Sequence, residues 1–373
     1  MKMVQHNLMQ EKISELLPVL MEKYNVPGMA IAIMEDGENW VKTLGFANKN
    51  TGKKVEGNTV FQVGSLSKIV TAWGILKLVE QGKIQLDQPV MNYISRWQFP
   101  RSKYSLNEVT IRRILSHTAG LSVSGYLGVH PNKKLKTLKE SLSGFLGINR
   151  LKIKHEPGKN ANYSGGGYTI LQLLIEEVTG KTFHSFMEDE IFHPLGMRSS
   201  TFIWDQSLIG RAAVGYGRGN SKPLSNYRFI EQAAAGLRTT IFDLALFLKA
   251  HHDTAKQRIG PNVITSDSLL LMQKRIDRVI PYGLGYQIVT IPKANKVLLH
   301  GGINRGWRSR FILLPKMNTG LVVLTNSNSG EYLIREIIRV WLESKVGKLS
   351  DFNRKALNLG EVESKIIHKL LGF

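Results

Sequence analysis

The spacing of apolar residues changes period four times along the chain. The first twenty residues, MKMVQHNLMQEKISELLPVL, place them at helical intervals and predict an amphipathic helix. GMAIAIMEDGENWVKTLGFANKNTG then forms two β-rich runs around Asp36-Gly37, a turn pair that predicts a hairpin. A short extended segment follows from about Thr59. From Ser65 the positions Ile69, Val70, Trp73, Leu76, Leu78 and Val79 return to helical spacing, which predicts a buried helix stopped at Gly82. Helical patterns dominate from about 88 to 275, including Thr110 to Ser116, Gly167 to Val178 and Thr240 to His251, between loops rich in Gly, Pro and Asn. Strand signals resume near Gly283 as GLGYQIVT, NKVLLHGG, RSRFILLP and GLVVLTNSN, with a turn over Pro315 to Gly320 and a closing helix from Glu331 to about Lys345.

This order predicts an α+β fold. One antiparallel β-sheet is built from N- and C-terminal segments and flanked by helices, with a mainly helical lobe inserted between them. A single domain is expected over 1–345, with an α/β lobe of about 1–87 and 276–345 and a helical lobe of about 88–275. Residues 346–373 read as a C-terminal helical tail. The cleft between lobes is the natural place for a site.

Composition narrows the chemistry. The 373 residues are 42% apolar and 21% charged, ordinary globular usage. Cysteine is absent, which excludes disulfides, cysteine-ligated metals and a catalytic thiol. A net charge of +21, from 50 basic and 29 acidic residues, favours an anionic polymer or surface as a partner. The densest basic stretch runs from Lys133 to Lys159 and fits a solvated loop. No zinc-finger, basic-zipper or RNP-like pattern accompanies it, so dedicated nucleic-acid binding is not expected. No apolar run approaches the roughly 18 residues of a membrane span, so no transmembrane segment is expected. Glu11, Lys12 and Glu15 interrupt any signal-peptide core, which makes a cytoplasmic location the expectation, although a chain starting after a removed leader would read the same.

Three segments carry candidate chemistry. In Gly64-Ser65-Leu66-Ser67-Lys68 a serine stands where an extended stretch becomes a helix, beside free N–H groups and the positive end of the dipole. Lys68 lies one turn on, on the same face, where a partly buried amine can take or relay the serine proton. A Ser-x-x-Lys spacing also arises by chance, and helix capping by Ser65 or Ser67 is the plain alternative. Asn162-Tyr163-Ser164-Gly165-Gly166-Gly167 precedes a helix expected to begin near Tyr168, and its glycines hold Tyr163 in a tight loop where a phenol near an ammonium can act as a base. The strand NKVLLHGG ends in His300-Gly301-Gly302, a bare edge against which an acyl group can lie, with His300 placed to polarise it.

Together, Ser65 to Lys68, Tyr163-Ser164-Gly165 and His300-Gly301-Gly302 resemble, in order and spacing, the three signatures of the serine β-lactamase-like superfamily. The resemblance is closest to its class C-like branch of esterases, D-amino-acid peptidases and penicillin-binding-protein-related hydrolases. Leu115 to Leu121, Pro194 to Met197 and Ala235-Gly236-Leu237 leading to Asp243-Leu244 match as well, and the likeness runs from about residue 10 to 345. It implies an acyl-enzyme on Ser65, with Lys68 easing deprotonation, Tyr163 shuttling the proton and His300 at the substrate edge. The oxyanion hole would be the N–H groups of Ser65 and Ile303, and no metal or cofactor is required.

Two departures bear on the substrate. Gly165 stands where β-lactam-processing enzymes carry the Asn of Tyr-x-Asn, and His300-Gly301-Gly302 replaces Lys-Thr-Gly, removing a cation and a hydroxyl that grip a carboxylate. They point to an ester or small amide, with Gly165, Gly301 and Gly302 lining the substrate and Arg305, Arg308 or Arg310 as sources of lost charge. A D-amino-acid peptidase or β-lactamase is the first alternative, and a non-catalytic protein binding an anionic polymer is the second. Gly215-Tyr216-Gly217-Arg218-Gly219 reads as a plain loop, and His251-His252-Asp253 as a helix end.

Overall fold

The computed structural model describes residues 2–144, 149–218, 222–255, 263–277 and 280–357. Strand β1 (Gly28–Glu35) shows why the sheet sits where it does. Met29, Ile31 and Ile33 point into one apolar cluster and Ala30, Ala32 and Met34 into another, so both faces are buried. Asp36 and Gly37 have φ of 49° and 90°, the left-handed pair a two-residue hairpin needs, and they return the chain into β2 (Glu38–Asn48) as expected.

Beyond β3 (Lys53–Lys54), the short strands β4 (Phe61–Gln62) and β5 (Arg238–Thr239) pair as a separate two-stranded sheet. The main sheet is completed by β6 (Gln287–Ile291), β7 (Asn295–Asn304), β8 (Trp307–Leu314) and β9 (Thr319–Thr325). Its order is β3-β2-β1-β9-β8-β7-β6, antiparallel throughout, with β1 paired to β9 so that the two ends of the chain share one sheet.

The described helices are α1 (Lys2–Lys23), α2 (Ser67–Glu80), α3 (Ile111–Leu115), α4 (Leu138–Ser143), α5 (Gly165–Thr179), α6 (Phe183–Met187), α7 (His193–Leu195), α8 (Ile241–Ala255), α9 (Ser266–Met272), α10 (Gly330–Val346) and α11 (Asp351–Leu357). In α10 the residues Leu333, Ile334, Ile337, Ile338, Trp341 and Leu342 form a buried stripe at helical spacing. It packs on one face of the sheet beside Ile13 and Leu17 of α1. Each such side chain contributes about 1.5–3 kcal/mol by leaving water. The opposite face carries α8, α2 and the helical segments between them. This is the α+β arrangement the sequence pattern implied.

Some boundaries differ. β6 begins at Gln287 because Gly283 lies against Met272, where a Cβ would come within 2.2 Å of its carbonyl oxygen, and Gly285 has φ of 87°. Neither conformation continues a ladder. Of the expected C-terminal helical tail, α11 accounts for seven residues, and 358–373 lie outside the described residues, as do 145–148 of the basic stretch and Gly219.

Candidate functional site

A tight turn, not the α-helix itself, presents Ser65. Residues Gly64–Leu66 form a 3₁₀ turn that runs into α2 at Ser67, and Gly64 supplies the φ of 51° that opens it. Neither turn nor helix takes a side-chain cap, so the capping alternative does not describe Ser65. Ser67 makes the local tie instead, donating to Gly64 O at 2.6 Å and accepting from Leu237 N at 3.0 Å. Ser65, half-buried, receives a hydrogen bond from Lys68 Nζ at 3.0 Å.

Lys68 is 1% exposed. Its ammonium also donates to Ala234 O at 2.7 Å and lies 5.0 Å from the Tyr163 ring centre and 5.6 Å from that of Tyr168. The acceptor belongs to a single π-helical turn, Gln232–Gly236, whose widened backbone turns carbonyls toward α2; Ala233 O accepts from Thr71 in the same way. No sequence period announces that turn.

Helix α5 begins at Gly165, three residues before the expected start. Ser164 caps it by accepting from Gly167 N at 3.0 Å, and the glycines fill a first turn with no room for side chains. A Cβ on Gly165 would lie 3.1 Å from Ser124 O, and one on Gly166 would lie 2.5 Å from a Leu151 methyl. Tyr163, just before the cap, is fixed by His117, whose ring lies 4.2 Å away centre to centre. His117 also meets Tyr168 and Tyr282, and its Nδ1 accepts from Ser164 N at 3.1 Å. Sequence reasoning gave His117 no role. Its signal lay in the matching stretch Leu115 to Leu121, but the left-handed φ of 59° that turns the ring onto Tyr163 is not visible there.

The third wall is β7. It runs so close to the 3₁₀ turn that a Cβ on Gly302 would fall 1.9 Å from Val63 O, and one on Gly64 would fall 2.7 Å from Ile303 N. Glycine is required at both for the backbones to meet, which brings Ile303 N–H beside the Ser65 turn. His300 is buried, 6.2 Å from Tyr163 centre to centre, and its Nδ1 lies 2.8 Å from Gly301 O. With Nδ1–H donating to that carbonyl, Nε2 of the neutral ring is an acceptor.

The arginines are held within the chain. Arg305 donates to the Tyr227 hydroxyl at 2.9 Å. Arg308, expected as a substrate contact, instead donates to Asn304 O, Trp307 O and Asn328 Oδ1 and braces the β7–β8 hairpin. Arg310 pairs with Glu331 on the far face. His251 is likewise structural, contacting Phe247 O and the Tyr286 hydroxyl, and among the described residues no group of His, Asp and Glu could hold a metal. No described helix is long and apolar enough to cross a membrane.

Burial, aided by the Lys68 charge, pushes His300 down to about 3 and His117 well below the usual histidine value, and burial pushes His251 down to about 4. These imidazoles stay neutral in the fold but take up protons near pH 6.5 once unfolded. The unfolded chain therefore binds more protons across that interval. Stability is fully present above about pH 6.5 and is lost as pH falls toward 4 and then 3. Urea midpoints followed from pH 8 to 4.5 are expected to drop from about pH 6.5 downward; a flat profile would contradict the neutral buried histidines.

The family model described as Beta-lactamase matches residues 13–343. Protein flp of Staphylococcus aureus strain MW2 is 25% identical over 339 residues, 87% of this chain and 64% of its own; the chain thus spans less than two thirds of that relative. Penicillin-binding protein 4 of Amycolatopsis lactamdurans is 26% identical over 350 residues, 89% of each chain. Among solved structures, an octameric penicillin-binding protein homologue from Pyrococcus abyssi superposes with a TM-score of 0.74 at 24% identity, covering 91% of this chain and 77% of that one. A class C beta-lactamase gives 0.73 at 22% identity, covering 88% and 95%. These two likenesses are of fold. The family match, in contrast, reaches from α1 to α10 and takes in every element that positions Ser65, Lys68, Tyr163 and His300, and on that match the chain belongs to the beta-lactamase family.

Proposed function

We propose that the protein is a serine hydrolase that forms an acyl-enzyme on Ser65 and acts on an ester or a small amide. The observation that carries this reading is the buried Lys68 ammonium bonded to Ser65 Oγ at 3.0 Å. With the Lys68–Tyr163 pair holding one proton fewer than ammonium plus phenol, Ser65 Oγ attacks the acyl carbon as its proton fills that place, and Tyr163 returns that proton to the departing alkoxide or amine nitrogen. The carbonyl oxygen, negative in the tetrahedral state, rests on the N–H groups of Ser65 and Ile303. Water then attacks the acyl carbon while giving a proton to the same pair, the acyl–Oγ bond breaks, and the pair returns that proton to Ser65 Oγ as the acid leaves.

Two features favour an ester or small amide over a β-lactam or D-peptide carboxylate. His300 is neutral at working pH, so the Gly301-Gly302 edge offers an acceptor where a carboxylate needs a cation. Gly165 carries no amide to hold a substrate carbonyl, and the Ser124 and Tyr126 neighbours leave a side chain little space there. A short-chain nitrophenyl ester assayed beside a chromogenic cephalosporin is expected to give a kcat/KM at least about 10²-fold higher for the ester, the scale lost when an enzyme lacks a placed polar partner. Preference for the cephalosporin would reverse the substrate assignment; turnover of neither, with no labelling by a fluorophosphonate, would favour a non-catalytic binding protein.

A further inference from the structure

Past the Ile303 N–H, the chain gathers three arginines around one tyrosine. Arg305 stands at the turn of the β7–β8 hairpin, two residues beyond Ile303 and so about 7 Å farther along the strand direction. Its Nη1 donates to the Tyr227 hydroxyl at 2.9 Å, and its guanidinium lies 5.4 Å from that ring's centre. Arg238 reaches the same residue from β5, donating to Tyr227 O at 2.9 Å with its guanidinium 5.0 Å from the Trp204 ring centre. It pairs across the strands with Gln62, three residues before Ser65. Arg228 directs its guanidinium to the carbonyls of Pro131 and Lys133, at 2.9 and 2.6 Å.

None of these three arginines meets a carboxylate among the described residues. Arg238 is 4% exposed, and burial, with the Arg228 charge adding to it, pushes it down to about 10 with no acid opposing the shift. Glu231, the acid of the same segment, accepts from Ser141 instead. Two donors are also left over. Tyr227 accepts from Arg305, so its own hydroxyl proton is unused, and the Arg305 Nη2 group has no acceptor among the described residues. A carboxylate can take one donor on each oxygen, the pairing in which a guanidinium bonds most strongly.

The direction of the substrate follows from the same strand. Tyr163 protonates the leaving group and lies 6.2 Å from His300 centre to centre, which puts the leaving group at the His300 end of β7. With the carbonyl oxygen on the N–H groups of Ser65 and Ile303, the acyl chain extends the other way, toward Arg305.

We propose that the acyl chain of the substrate ends in a carboxylate, held by Arg305 and the Tyr227 hydroxyl in the field of Arg238 and Arg228. The substrate class is then a half-ester or half-amide of a short dicarboxylic acid, and the span of about 7 Å suits adipate. The inference rests on the hydrolase reading for its direction of binding.

The experiment compares kcat/KM for three nitrophenyl esters of one length: hydrogen adipate, its neutral methyl ester, and cationic 6-aminohexanoate. The anionic ester is expected to exceed the neutral one at least about tenfold, the scale of one charge-assisted contact, with the cationic ester poorest. Arg305→Gln and Tyr227→Phe are each expected to cut the anionic-to-neutral ratio, whereas damage to the fold would slow both esters alike and leave the ratio in place. A ratio near one in the parent chain, or a ratio unchanged in Arg305→Gln, would overturn the proposal. Failure of the hydrolase reading shows separately, as turnover of none of the three. Ligand-observed NMR of monomethyl adipate with the full chain then decides the contact: binding that Arg305→Gln loses upholds it, and binding that is absent or retained in that variant overturns it.

Discussion

Ser65→Ala is expected to lower ester turnover by about 10⁴–10⁶ and to abolish covalent labelling, the scale of loss seen when a serine nucleophile is removed. Alanine has no oxygen to acylate, and what remains is binding and the N–H groups of residue 65 and Ile303. The fold should survive the change. Ser65 caps no helix, and the bonds that fasten this turn run through Ser67, to Gly64 O and from Leu237 N. Initial rates on a nitrophenyl ester, read beside a thermal melt, separate the two effects. Activity near wild type in a folded Ser65→Ala chain would remove the nucleophile from the account.

Lys68→Met is expected to slow acylation by about 10²–10⁴, the range for loss of a positioned acid–base group. Methionine keeps roughly the length and volume of the side chain but loses the ammonium, so Ser65 Oγ and Ala234 O both lose their donor. The Lys68 charge also helps to hold His117 and His300 neutral, second to burial in each case. Their pKa values should therefore rise in the variant, a shift that imidazole NMR signals report and that a lysine serving only as packing would not produce. A slow enzyme with unmoved histidines would assign Lys68 a structural part.

The parts of this site that are local in the chain were legible in it. Ser65 and Lys68 are one turn apart, so spacing alone puts them on one face, and the hairpin at Asp36-Gly37 follows from the φ values those residues tolerate. The antiparallel sheet was legible because β1 and β7 to β9 keep strand-like runs bounded by turn residues. The convergence of Tyr163 and His300 on Lys68 was carried only by resemblance, since no periodicity relates residues more than about ninety positions apart. Three features were not legible. The π-helical turn Gln232–Gly236, which supplies Ala234 O, has no hydrophobic period. The start of α5 at Gly165 runs against glycine's helix propensity and is set by Ser164 and by the lack of space around the first turn. Arg308 read as available charge, yet its burial in the β7–β8 hairpin depends on acceptors, Asn328 among them, that only the fold brings near.

The mechanism rests on a covalent bond to one oxygen, and intact-protein mass spectrometry after exposure to a fluorophosphonate and to a slowly hydrolysed ester reads that bond directly. A single addition matching the phosphonyl or acyl group, mapped to the peptide holding Ser65 and missing from Ser65→Ala, is the expected result. An addition mapped to another residue, or an unmodified chain that still turns over the ester, would contradict it.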